Sequence, residues 1–455
     1  MIKLTVQEVA KLAGGIAVGD GEVASVAIDS RKVIPGSLYI AIKGQRLDGH
    51  AFIREACEHG ASAVMAHDDC ECGVPVIRVD DTTKALLRFA GAYRDMFHPF
   101  LIGLTGSVGK TTTKDMTYCA LSDSRNAIKT DGNLNNHIGM PLNLLRLDET
   151  VEAAVIEMGM NARGEISRLT RAAKPDAAII TNIGISHIGL LGSRQEILNA
   201  KMEIVEGMKA GGTLVLNGDD DMLSTVKEPA GIKIIRYSLL GDADVSGRIV
   251  REGDNHSEVR IKTAKGEYDM IVPVSGRHNV YNALGAFTAA LVAGAEPESA
   301  IRGIGDFHTA AMRQSVYDKG GITVIEDCYN AAPDSMSAAL SLLSKTGKGR
   351  RVAVLSDMVE LGDYSAAAHE RVGREAASVA DLLMIYGQFA ADYERGFNSV
   401  AERRGKVGIF PDKRALTEAL KNVLVEGDTV LFKASRAQRL EEVIADVFAE
   451  DEKRG

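Results

Sequence analysis

Short apolar runs separated by longer segments of helical periodicity make up most of the chain. Runs of this length, bounded by turn residues, predict strands, and their alternation with helical segments is typical of a parallel sheet with crossover helices. A polar stretch at about 240–273 has short alternating runs that predict antiparallel strands, and residues 279–294 predict a helix. The apolar runs in the middle of the chain are FLIGL (100–104), AAVIEM (153–158), AAIITNI (177–183) and GTLVLN (212–217).

The same alternation occurs before and after this central segment. A helix-like segment at 51–60 lies between strand-like SLYIAI (37–42) and SAVMA (62–66). The later strand-like runs are ITVIED (322–327), RVAVLS (351–356), LLMIYG (382–387) and DTVLFK (428–433). Because 455 residues exceed what one core usually organises, we predict an α/β protein of three domains. These are a small α/β domain at 1–96, a central domain with a mostly parallel sheet at 97–310, and a smaller Rossmann-like domain at 311–455.

Composition and charge narrow the class of protein. Hydrophobic residues make up 45% and charged residues 25% of the sequence, as in globular proteins, and the formal net charge is -9. That charge argues against a general nucleic-acid-binding protein, whereas a few local donors can still hold a small anionic ligand. The N-terminal segment lacks the apolar core of a signal peptide, and no run approaches the roughly 20 apolar residues of a membrane span. We therefore expect a cytoplasmic protein.

The cysteines indicate neither a disulfide framework nor a metal site. Their spacing is not that of disulfide-stapled domains, which suits a reducing compartment. In HDDCEC (67–72), His67 and two cysteines supply three candidate ligands, one fewer than a structural zinc site uses, so we interpret this stretch as a solvated loop. The five cysteines are Cys57, Cys70, Cys72, Cys119 and Cys328.

The stretch GLTGSVGKTTTK (103–114) carries the strongest indication of chemistry. It misses the standard phosphate-binding spacing by one residue, because Leu104 stands where that pattern has glycine. A strand-like run, a small-residue turn and a helical segment without glycine or proline are nevertheless present, as a phosphate loop requires. Lys110 would reach terminal phosphates, and the Thr111 hydroxyl would bind the accompanying magnesium. An ordinary glycine turn between a strand and a helix is the alternative.

Two polar residues follow strands that should end at the same edge of the sheet. Glu157 ends AAVIEM, and His187 follows AAIITNI in the loop GISHIG. Ligands of doubly wound sheets bind at the carboxyl ends of the strands, so both side chains are expected near the phosphates. Together with Thr111 they would form a site for one or two divalent cations. Taken singly, Glu157 could pair with an arginine and His187 could cap a loop.

Lys201 lies in the middle of an apolar helical stripe within residues 193–208, so it is expected to point inward. A buried ammonium is costly unless it is paired, neutralised or modified, and carbamylation by carbon dioxide would turn it into a metal-binding carboxylate. An ion pair with Glu203 or Glu206, or a snorkelling side chain, is the alternative that position alone favours. The stripe consists of Ile197, Ile204, Val205 and Met208.

Taken together, these segments resemble the Mur ligase family, the ATP-dependent amino-acid ligases of peptidoglycan precursor synthesis. The resemblance covers essentially the whole chain and implies an N-terminal domain for the UDP end of the substrate, a central ATPase, and a C-terminal domain that closes over the site. The segments that carry it are LTGSVGKTTTKDM (104–116), KTDGNLNNHIGMPLNLL (129–145), EMGMNARGEISRL (157–169), PDAAIITNIGISHIGLLGS (175–193), AKMEI (200–204), VLNGDDD (215–221), GRHNVYNALGAF (276–287), EDCYNAAPDSM (326–336), SDMVELG (356–362) and FKASR (432–436).

The resemblance implies a site for ATP and Mg2+. Lys110, His187, Lys201 and Arg313 would be catalytic, with Arg313 reaching the γ-phosphate and Lys201 as the carbamylated lysine of the family. The metal ligands would be Thr111, Glu157, His187 and Lys201. ATP contacts are implied for Thr105, Gly106, Ser107, Gly109, Lys110, Thr111, Thr112, Asn279, Asn282, Arg313 and Asp327, with the asparagines near adenine and the aspartate on the ribose. Without the family context, the segment around Asp327 is equally well interpreted as a strand end with a turn.

The resemblance also implies contacts for the other substrates. Residues 29–53 resemble the family's uridine-nucleotide segment, and Ser356 and Ala434 stand where the family usually has glycine. Those two departures leave the backbone geometry around the peptide substrate open, but not the reaction class. Contacts with the UDP-linked substrate are implied for Ser30, Arg31, Asn133 and Asn136, and contacts on the D-Ala-D-Ala side for Asn330, Ser435 and Arg436.

Within the family, the pattern is most similar to the ligases that join D-Ala-D-Ala to UDP-MurNAc-tripeptide. This implies amide-bond formation through an acyl phosphate, with ATP and both substrates as binding partners. No motif distinguishes lysine from diaminopimelate at the end of the tripeptide. The oligomeric state is equally unreadable from the sequence, and a monomer is our expectation.

Three alternatives stay open. The ligase one step earlier carries an Asp-Asn-Pro-Arg motif in its diaminopimelate-adding form, and that motif is absent here. Folylpolyglutamate synthase shares the central and C-terminal design but lacks the uridine-nucleotide domain that residues 1–96 would supply. A nucleotide switch or a cell-wall scaffold would not need the full set of catalytic residues, and ATP turnover that depends on an acceptor would exclude it.

Overall fold

The computed structural model describes residues 1–44, 46–67, 70, 72–253, 255–309, 312–346 and 349–449. Within these ranges the chain forms three α/β domains, each with its own main sheet, which confirms the predicted fold class. No helix in the ranges given is long and apolar enough to cross a membrane.

The N-terminal domain has a five-stranded sheet and a two-stranded pair. Its elements are β1 (Leu4–Thr5), α1 (Val6–Ala13), β2 (Ile16–Val18), β3 (Glu22–Val23), β4 (Ser25–Ala27), β5 (Ser37–Ile40), α2 (Ile53–Glu58), β6 (Ala61–Ala66), β7 (Val76–Arg78) and α3 (Thr82–Arg94). The sheet order is β2-β7-β6-β5-β4, with only β2 antiparallel, and β1 pairs with β3. Asp81 starts α3 by accepting hydrogen bonds from the first-turn amides. Leu38, Met65 and Phe89 share the buried core of this domain.

The central domain is built on a nine-stranded sheet. Its elements are β8 (Phe100–Thr105), α4 (Lys110–Ser122), β9 (Ala127–Lys129), α5 (Gly139–Leu144), β10 (Ala153–Glu157), α6 (Glu165–Ala173), β11 (Ala177–Ile180), α7 (Ile188–Leu191), α8 (Arg194–Met202), β12 (Thr213–Asn217), β13 (Lys233–Ser238), β14 (Val245–Glu252), β15 (Ser257–Thr263), β16 (Gly266–Val272), α9 (Arg277–Val292) and α10 (Pro297–Gly305). The order is β16-β15-β14-β13-β12-β11-β8-β10-β9; the strands from β9 to β14 are parallel, and β15 and β16 extend the sheet antiparallel.

The central strand β8 is buried on both faces, which explains its unbroken apolar run. Leu101 belongs to a core shared with the N-terminal domain, whereas Ile102 and Leu104 belong to a second core with Met116 of α4 and Phe287 of α9. Helices therefore cover both faces of the sheet, and the carboxyl ends of its strands are left to form the site.

The C-terminal domain has a six-stranded sheet. Its elements are β17 (Ser315–Lys319), β18 (Ile322–Asp327), α11 (Pro333–Thr346), β19 (Arg351–Leu355), α12 (Ser365–Val379), β20 (Leu382–Tyr386), α13 (Ala390–Asn398), β21 (Lys406–Phe410), α14 (Lys413–Val423), β22 (Thr429–Lys433) and α15 (Leu440–Val447). The order is β17-β18-β22-β19-β20-β21, and all neighbours are parallel except β17 and β18.

The predicted helix over residues 193–208 is shorter than expected. α8 ends at Met202, and a 3-10 turn follows at 203–207. The Thr170 hydroxyl donates to the Ile204 carbonyl at 2.7 Å, and the Glu203 carboxylate accepts from the backbone amides of Gly164 and Ser167 at the start of α6. These tertiary hydrogen bonds replace the α-helical ones, so the chain forms a 3-10 turn after Met202 instead of continuing the α-helix.

The other predicted elements are found with small changes at their ends. The helix at 51–60 becomes a 3-10 turn at 49–52 followed by α2. The strands at 240–273 are confirmed as antiparallel. The strands that sequence reasoning missed are short or contain charged residues; they are β1, β2, β3, β4, β7, β9, β13, β17 and β21.

Candidate active site

The candidate phosphate loop lies at the centre of the central sheet. β8 pairs in parallel with β10 and β11, and its last residue leads into a turn at 106–109 before α4 begins at Lys110. The strand, turn and helix expected there are all present. The turn therefore faces the carboxyl edge of the sheet, with the N-terminus of a 13-residue helix directly behind it.

Two glycines of this turn are required by its backbone. Gly106 and Gly109 have φ angles of 155° and 80°, which favour glycine. A Cβ on Gly106 would lie 1.8 Å from Thr181 Oγ1, and one on Gly109 would lie 2.5 Å from Asn282 Oδ1. The loop thus has no room for side chains at these positions, whatever the spacing of the other glycines.

The segment after β11 fixes the shape of the loop. The Ser107 amide donates to the Asn182 carbonyl at 3.1 Å, and the Val108 amide donates to Asn182 Oδ1 at 3.0 Å. Thr181 Oγ1 donates to the Val108 carbonyl at 2.7 Å. Sequence reasoning did not single out Thr181 and Asn182, although they lie near the end of the predicted strand-like run at 177–183, at the edge of the sheet where ligands bind.

Replacing Gly106 by alanine is expected to destabilise the protein by about 1–3 kcal/mol, because the added Cβ overlaps the Thr181 hydroxyl and breaks its bond to the loop. ADP binding measured by calorimetry should weaken by at least ~10-fold, which corresponds to about 1.4 kcal/mol. Gly132→Ala is the control, since Gly132 has a φ of 50° but no atom within 4 Å of an added Cβ. Equal losses in both variants would contradict the steric explanation.

Lys110 lies over the loop. Its ammonium donates to the carbonyls of Gly106 at 2.8 Å and Ser107 at 3.3 Å. Burial lowers the pKa of Lys110, and the charge of Arg313 acts in the same direction, whereas Glu157 and Glu360 oppose the shift. The two carboxylates thus offset part of the effect of burial on the Lys110 ammonium, which lies over the turn at 106–109.

Thr111 and Glu157 form a pair of oxygen donors beside the loop. Thr111 Oγ1 donates to Glu157 Oε2 at 3.0 Å, and Asn135 Nδ2 donates to Glu157 Oε1 at 2.8 Å. The Glu157 amide donates to Thr130 Oγ1, which fixes the backbone at the end of β10. A hydroxyl and a buried carboxylate are ligands that suit Mg2+, so this donor set fits the predicted metal.

His187 occupies an unusual backbone position between β11 and α7, with a φ of 65°. Its Nδ1 lies 2.6 Å from Glu360 Oε2, across the boundary between the central and C-terminal domains. The contact between Nδ1 and the Glu360 carboxylate does not have the angles of a regular hydrogen bond. Nδ1 has no other hydrogen-bond partner in the described chain. His187 lines the same cavity as Thr111 and Glu157. The His187 side chain makes no capping hydrogen bond to α7, so the alternative role as a loop cap does not explain its position.

Lys201 is almost completely buried, as its helical stripe predicts, with 1% of its surface exposed. No acidic side chain in the described part of the chain forms an ion pair with it. Glu203 instead binds the backbone at Gly164, and Glu206 pairs with Arg171. Burial lowers the pKa of Lys201 well below its ordinary value, and the charge of Lys110 adds to the shift. The amine is therefore neutral, and hence nucleophilic, over a wider pH range than an exposed lysine.

The predicted adenine contacts lie at the start of α9. Asn279 Nδ2 donates to the Ser275 carbonyl at 2.8 Å and to Gln314 Oε1 at 3.2 Å. Asn282 Oδ1 accepts from Thr113 Oγ1 of α4 at 3.1 Å. Gln314 belongs to the connection to the C-terminal domain, so this connection contacts the start of α9 directly.

Arg313 and Asp327 enter the site from the C-terminal domain. The Arg313 guanidinium lies 4.0 Å above the Tyr329 ring, a cation–π contact that fixes its direction. Lys433 Nζ lies 2.6 Å from Asp327 Oδ2 and donates to the Asn330 carbonyl at 3.0 Å. Lys433, at the end of β22, is a site residue that sequence reasoning missed because it reads as the last residue of an ordinary strand.

A cavity of about 440 Å³ between the central and C-terminal domains brings these groups together. Asn135, Gln314 and Lys433 line it without having been predicted. The predicted residues on its walls are Ser107, Gly109, Lys110, Thr111, Thr112, Asn136, Glu157, His187, Asn279, Asn282, Arg313, Asp327 and Asn330.

Other predicted residues lie off the cavity wall. Ser30 donates to Glu55 and Arg31 pairs with Asp29, both within the N-terminal domain. The buried Ser435 accepts a hydrogen bond from the Val359 amide. The remaining ones are Thr105, Gly106, Asn133, Lys201 and Arg436, of which Arg436 pairs with Glu441.

Ser356 and Ala434, where the family usually has glycine, are both fully buried. Neither has a positive φ, so their backbone does not require glycine. The Ser356 hydroxyl donates to the Tyr386 carbonyl at 2.7 Å. The extra side-chain atoms therefore fit the interior of the C-terminal domain.

His369 anchors the 356–362 loop that follows β19. The Met358 amide donates to its Nε2 at 2.9 Å, and Nδ1 lies 2.6 Å from the Ser365 carbonyl, which requires a neutral ring with its proton on Nδ1. Burial lowers the pKa of His369. The unfolded chain binds a proton below about pH 6.5 while the native ring resists it, so stability is expected to fall as pH decreases from about 6.5 toward the native pKa.

Urea unfolding of the wild type and of His369→Asn, followed by circular dichroism at pH 5.5 and 7.5, measures this effect. The stability advantage of the wild type over the variant should be larger at pH 7.5 than at pH 5.5. An advantage independent of pH would contradict the neutral, loop-anchoring role of His369.

Comparisons with known proteins agree over the length of the chain. Family models match in order: "Mur ligase family, catalytic domain" at 22–94, "Mur ligase middle domain" at 104–290 and "Mur ligase, glutamate ligase domain" at 312–436. The UDP-N-acetylmuramoyl-tripeptide–D-alanyl-D-alanine ligase of Bacillus subtilis is 38% identical, over 98% of this chain and 99% of the relative. The ligase of the same name from Escherichia coli is 33% identical, over 98% of each chain.

Solved structures give the same result. MurF from Acinetobacter baumannii has a TM-score of 0.91 and 30% identity, covering 98% of this chain and 99% of that chain. MurF from Thermotoga maritima in complex with ADP has a TM-score of 0.82 and 28% identity, covering 95% and 99%. The chain therefore belongs to the Mur ligase family. It is an ATP-dependent ligase of peptidoglycan precursor synthesis.

Proposed function

We propose that this enzyme joins D-alanyl-D-alanine to UDP-MurNAc-tripeptide and converts ATP to ADP and phosphate. The observation that carries the proposal is the cavity between the central and C-terminal domains, where Lys110, Thr111, Glu157, Arg313 and Asp327 meet. The names of the full-length relatives support the choice of substrates. We assign residues 1–96 to the UDP-linked substrate, 97–310 to ATP, and 311–455 to closure over ATP and the dipeptide.

The reaction requires two anions to approach each other. The terminal carboxylate of the tripeptide attacks the γ-phosphorus of ATP, the bond to ADP breaks, and an acyl phosphate forms. The amine of the dipeptide then attacks the acyl carbon, loses a proton, and expels phosphate. Repulsion between carboxylate and phosphate falls only if positive charge lies between them, and Lys110 and Arg313 supply it from opposite domains. Lys110 and Arg313 position the γ-phosphate and neutralise its negative charge, which is the main contribution a protein makes to phosphoryl transfer.

The residues beside the phosphate loop suit Mg2+. Thr111 and Glu157 would hold it, with His187 and a carbamylated Lys201 as further ligands or supports. When bound, Mg2+ neutralises and orients the phosphate oxygens. Carbamylation needs no enzyme group: the neutral amine of Lys201 attacks carbon dioxide and loses a proton, which gives an N-carboxylate.

The remaining assignments concern recognition. Asn279 and Asn282 would face adenine, and Asp327, held by Lys433, would bind the ribose hydroxyls. Asn330 lies on the cavity wall and is the candidate contact for the dipeptide, whereas Ser435 would act through the Val359 backbone. Ser30, Arg31, Asn133, Asn136 and Arg436 stay predictions for the UDP-linked and peptide substrates. We propose a monomer that works in the cytoplasm, where ATP and UDP-linked precursors are made.

Phosphate release from ATP in the presence of UDP-MurNAc-tripeptide tests the proposal. D-Ala-D-Ala is compared with free diaminopimelate, lysine and glutamate as acceptors, and the product is identified by mass. Turnover only with the dipeptide is expected. Turnover only with a single amino acid on a shorter precursor would move the enzyme one step earlier, and no turnover with any acceptor would favour a switch or scaffold.

A further inference from the structure

Glu360 belongs to the C-terminal domain, yet its carboxylate contacts a residue of the central site. Its Oε2 lies 2.6 Å from His187 Nδ1, and Lys110 is close enough to influence it electrostatically. We infer that Glu360 is a positioning residue that orients His187 toward the metal and thereby couples closure of the C-terminal domain to metal binding. The inference rests on the metal role proposed for His187.

Both residues of this contact are held in backbone conformations that are costly for them. His187 has a φ of 65° and Glu360 a φ of 69°, and neither is glycine. Such positions are strained for residues other than glycine and persist only where the surroundings impose them. The two strained residues face each other across a domain boundary. The surrounding structure therefore holds both residues in the conformations that bring their side chains into contact.

The backbones around the two side chains are in close contact. The Gly189 amide donates to the Glu360 carbonyl at 3.3 Å. A Cβ on Gly189 would lie 2.5 Å from the Gly362 amide nitrogen, and one on Gly362 would lie 2.8 Å from Gly189 Cα. Leu361, between them, is buried. The 356–362 loop therefore docks on α7 through two glycines, at a distance that excludes other residues.

The 356–362 loop that carries Glu360 is held by hydrogen bonds to the rest of the C-terminal domain. Asp357 accepts from the amides of Gln388 at 2.9 Å and Phe389 at 3.1 Å. The Met358 and Val359 amides donate to His369 and Ser435. Three successive residues are thus tied to the C-terminal domain, so Glu360 moves with that domain as a rigid part of it.

The chemistry follows from the two nitrogens of imidazole. With the Glu360 carboxylate at Nδ1, Nε2 is the nitrogen left to bind a cation, and the contact fixes the orientation of the ring. His187 would bind a cation well only when the C-terminal domain has brought Glu360 into place.

Calorimetric titration of ADP binding against MgCl2 tests the inference. In Glu360→Gln the Mg2+ concentration for half-maximal enhancement should rise by about 10-fold, because outer partners of metal ligands contribute 10–100-fold to affinity. ADP binding without Mg2+ should not change. Asp363→Asn removes an exposed carboxylate from the same segment and should titrate as the wild type. In a His187→Asn background, Glu360→Gln should have no further effect.

A wild-type Mg2+ response in Glu360→Gln, with His187→Asn weakened, would overturn the inference and leave the proposed metal site standing. Additive losses in the double variant would also overturn it, because the two residues would then act independently. A wild-type response in His187→Asn would instead overturn the metal role of His187, and the inference with it.

Discussion

Lys110→Met is expected to lower kcat/KM for ligation by at least ~10³-fold, the scale reached when a preorganised charge at a reacting centre is removed. The ammonium lies over the loop carbonyls at 2.8 and 3.3 Å, within reach of the position that phosphate oxygens would take. Methionine keeps the length and apolar packing of the side chain but has no charge. Steady-state phosphate release with saturating tripeptide and dipeptide measures the effect.

Lys209→Met is the matched control for that variant. Lys209 pairs with Asp176 at the surface, away from the cavity, so its removal should change kcat/KM less than twofold. Comparable losses in the two lysine variants would show that Lys110 acts through general charge or folding. Unchanged melting temperatures in both would confirm that the comparison concerns catalysis.

Lys201→Ala is expected to lower kcat by about 10²-fold, because it removes a carboxylate that would support the metal site. Its full burial, its lowered pKa and the absence of an acidic partner in the described chain are the reasons to expect a carbamylated lysine. Acetate or propionate in the assay should restore part of the activity, since a small carboxylate can occupy the space left by the side chain.

A paired measurement distinguishes modification from a purely structural role. Mass spectrometry of the native protein in bicarbonate should detect an added 44 Da, about the mass of carbon dioxide, in the wild type and not in Lys201→Ala. Full activity of Lys201→Ala without added carboxylates would refute the carbamylation proposal. Activity lost in the variant but not restored by any carboxylate would point to packing at a buried site instead.

The sequence predicted the parts of the site that depend on local structure. A strand, a turn and a helix around Lys110 could be read from apolar runs and small residues, although the glycine spacing was irregular. Glu157 could be placed because it ends a strand in a parallel sheet, and the burial of Lys201 followed from helical periodicity. Each of these inferences needs only one element and its neighbours.

The parts that depend on contacts between domains could not be predicted. Glu360 and Lys433 are ordinary charged residues in the sequence, and they enter the site only because the C-terminal domain packs against the central one. Ser435 stays a prediction for the peptide side, and its hydrogen bond from the Val359 amide of a neighbouring loop could not be read from the sequence. Such roles are set by tertiary distances that local sequence patterns do not encode.

The most direct test of the central claim is an oxygen-transfer measurement. UDP-MurNAc-tripeptide with its terminal carboxylate labelled with 18O is incubated with ATP, D-Ala-D-Ala and the enzyme, and the products are identified by mass. If the carboxylate attacks the γ-phosphate and phosphate then leaves the acyl carbon, one 18O per turnover appears in phosphate and the pentapeptide product retains the other. Phosphate without label, or ATP consumption without the pentapeptide product, would contradict the account.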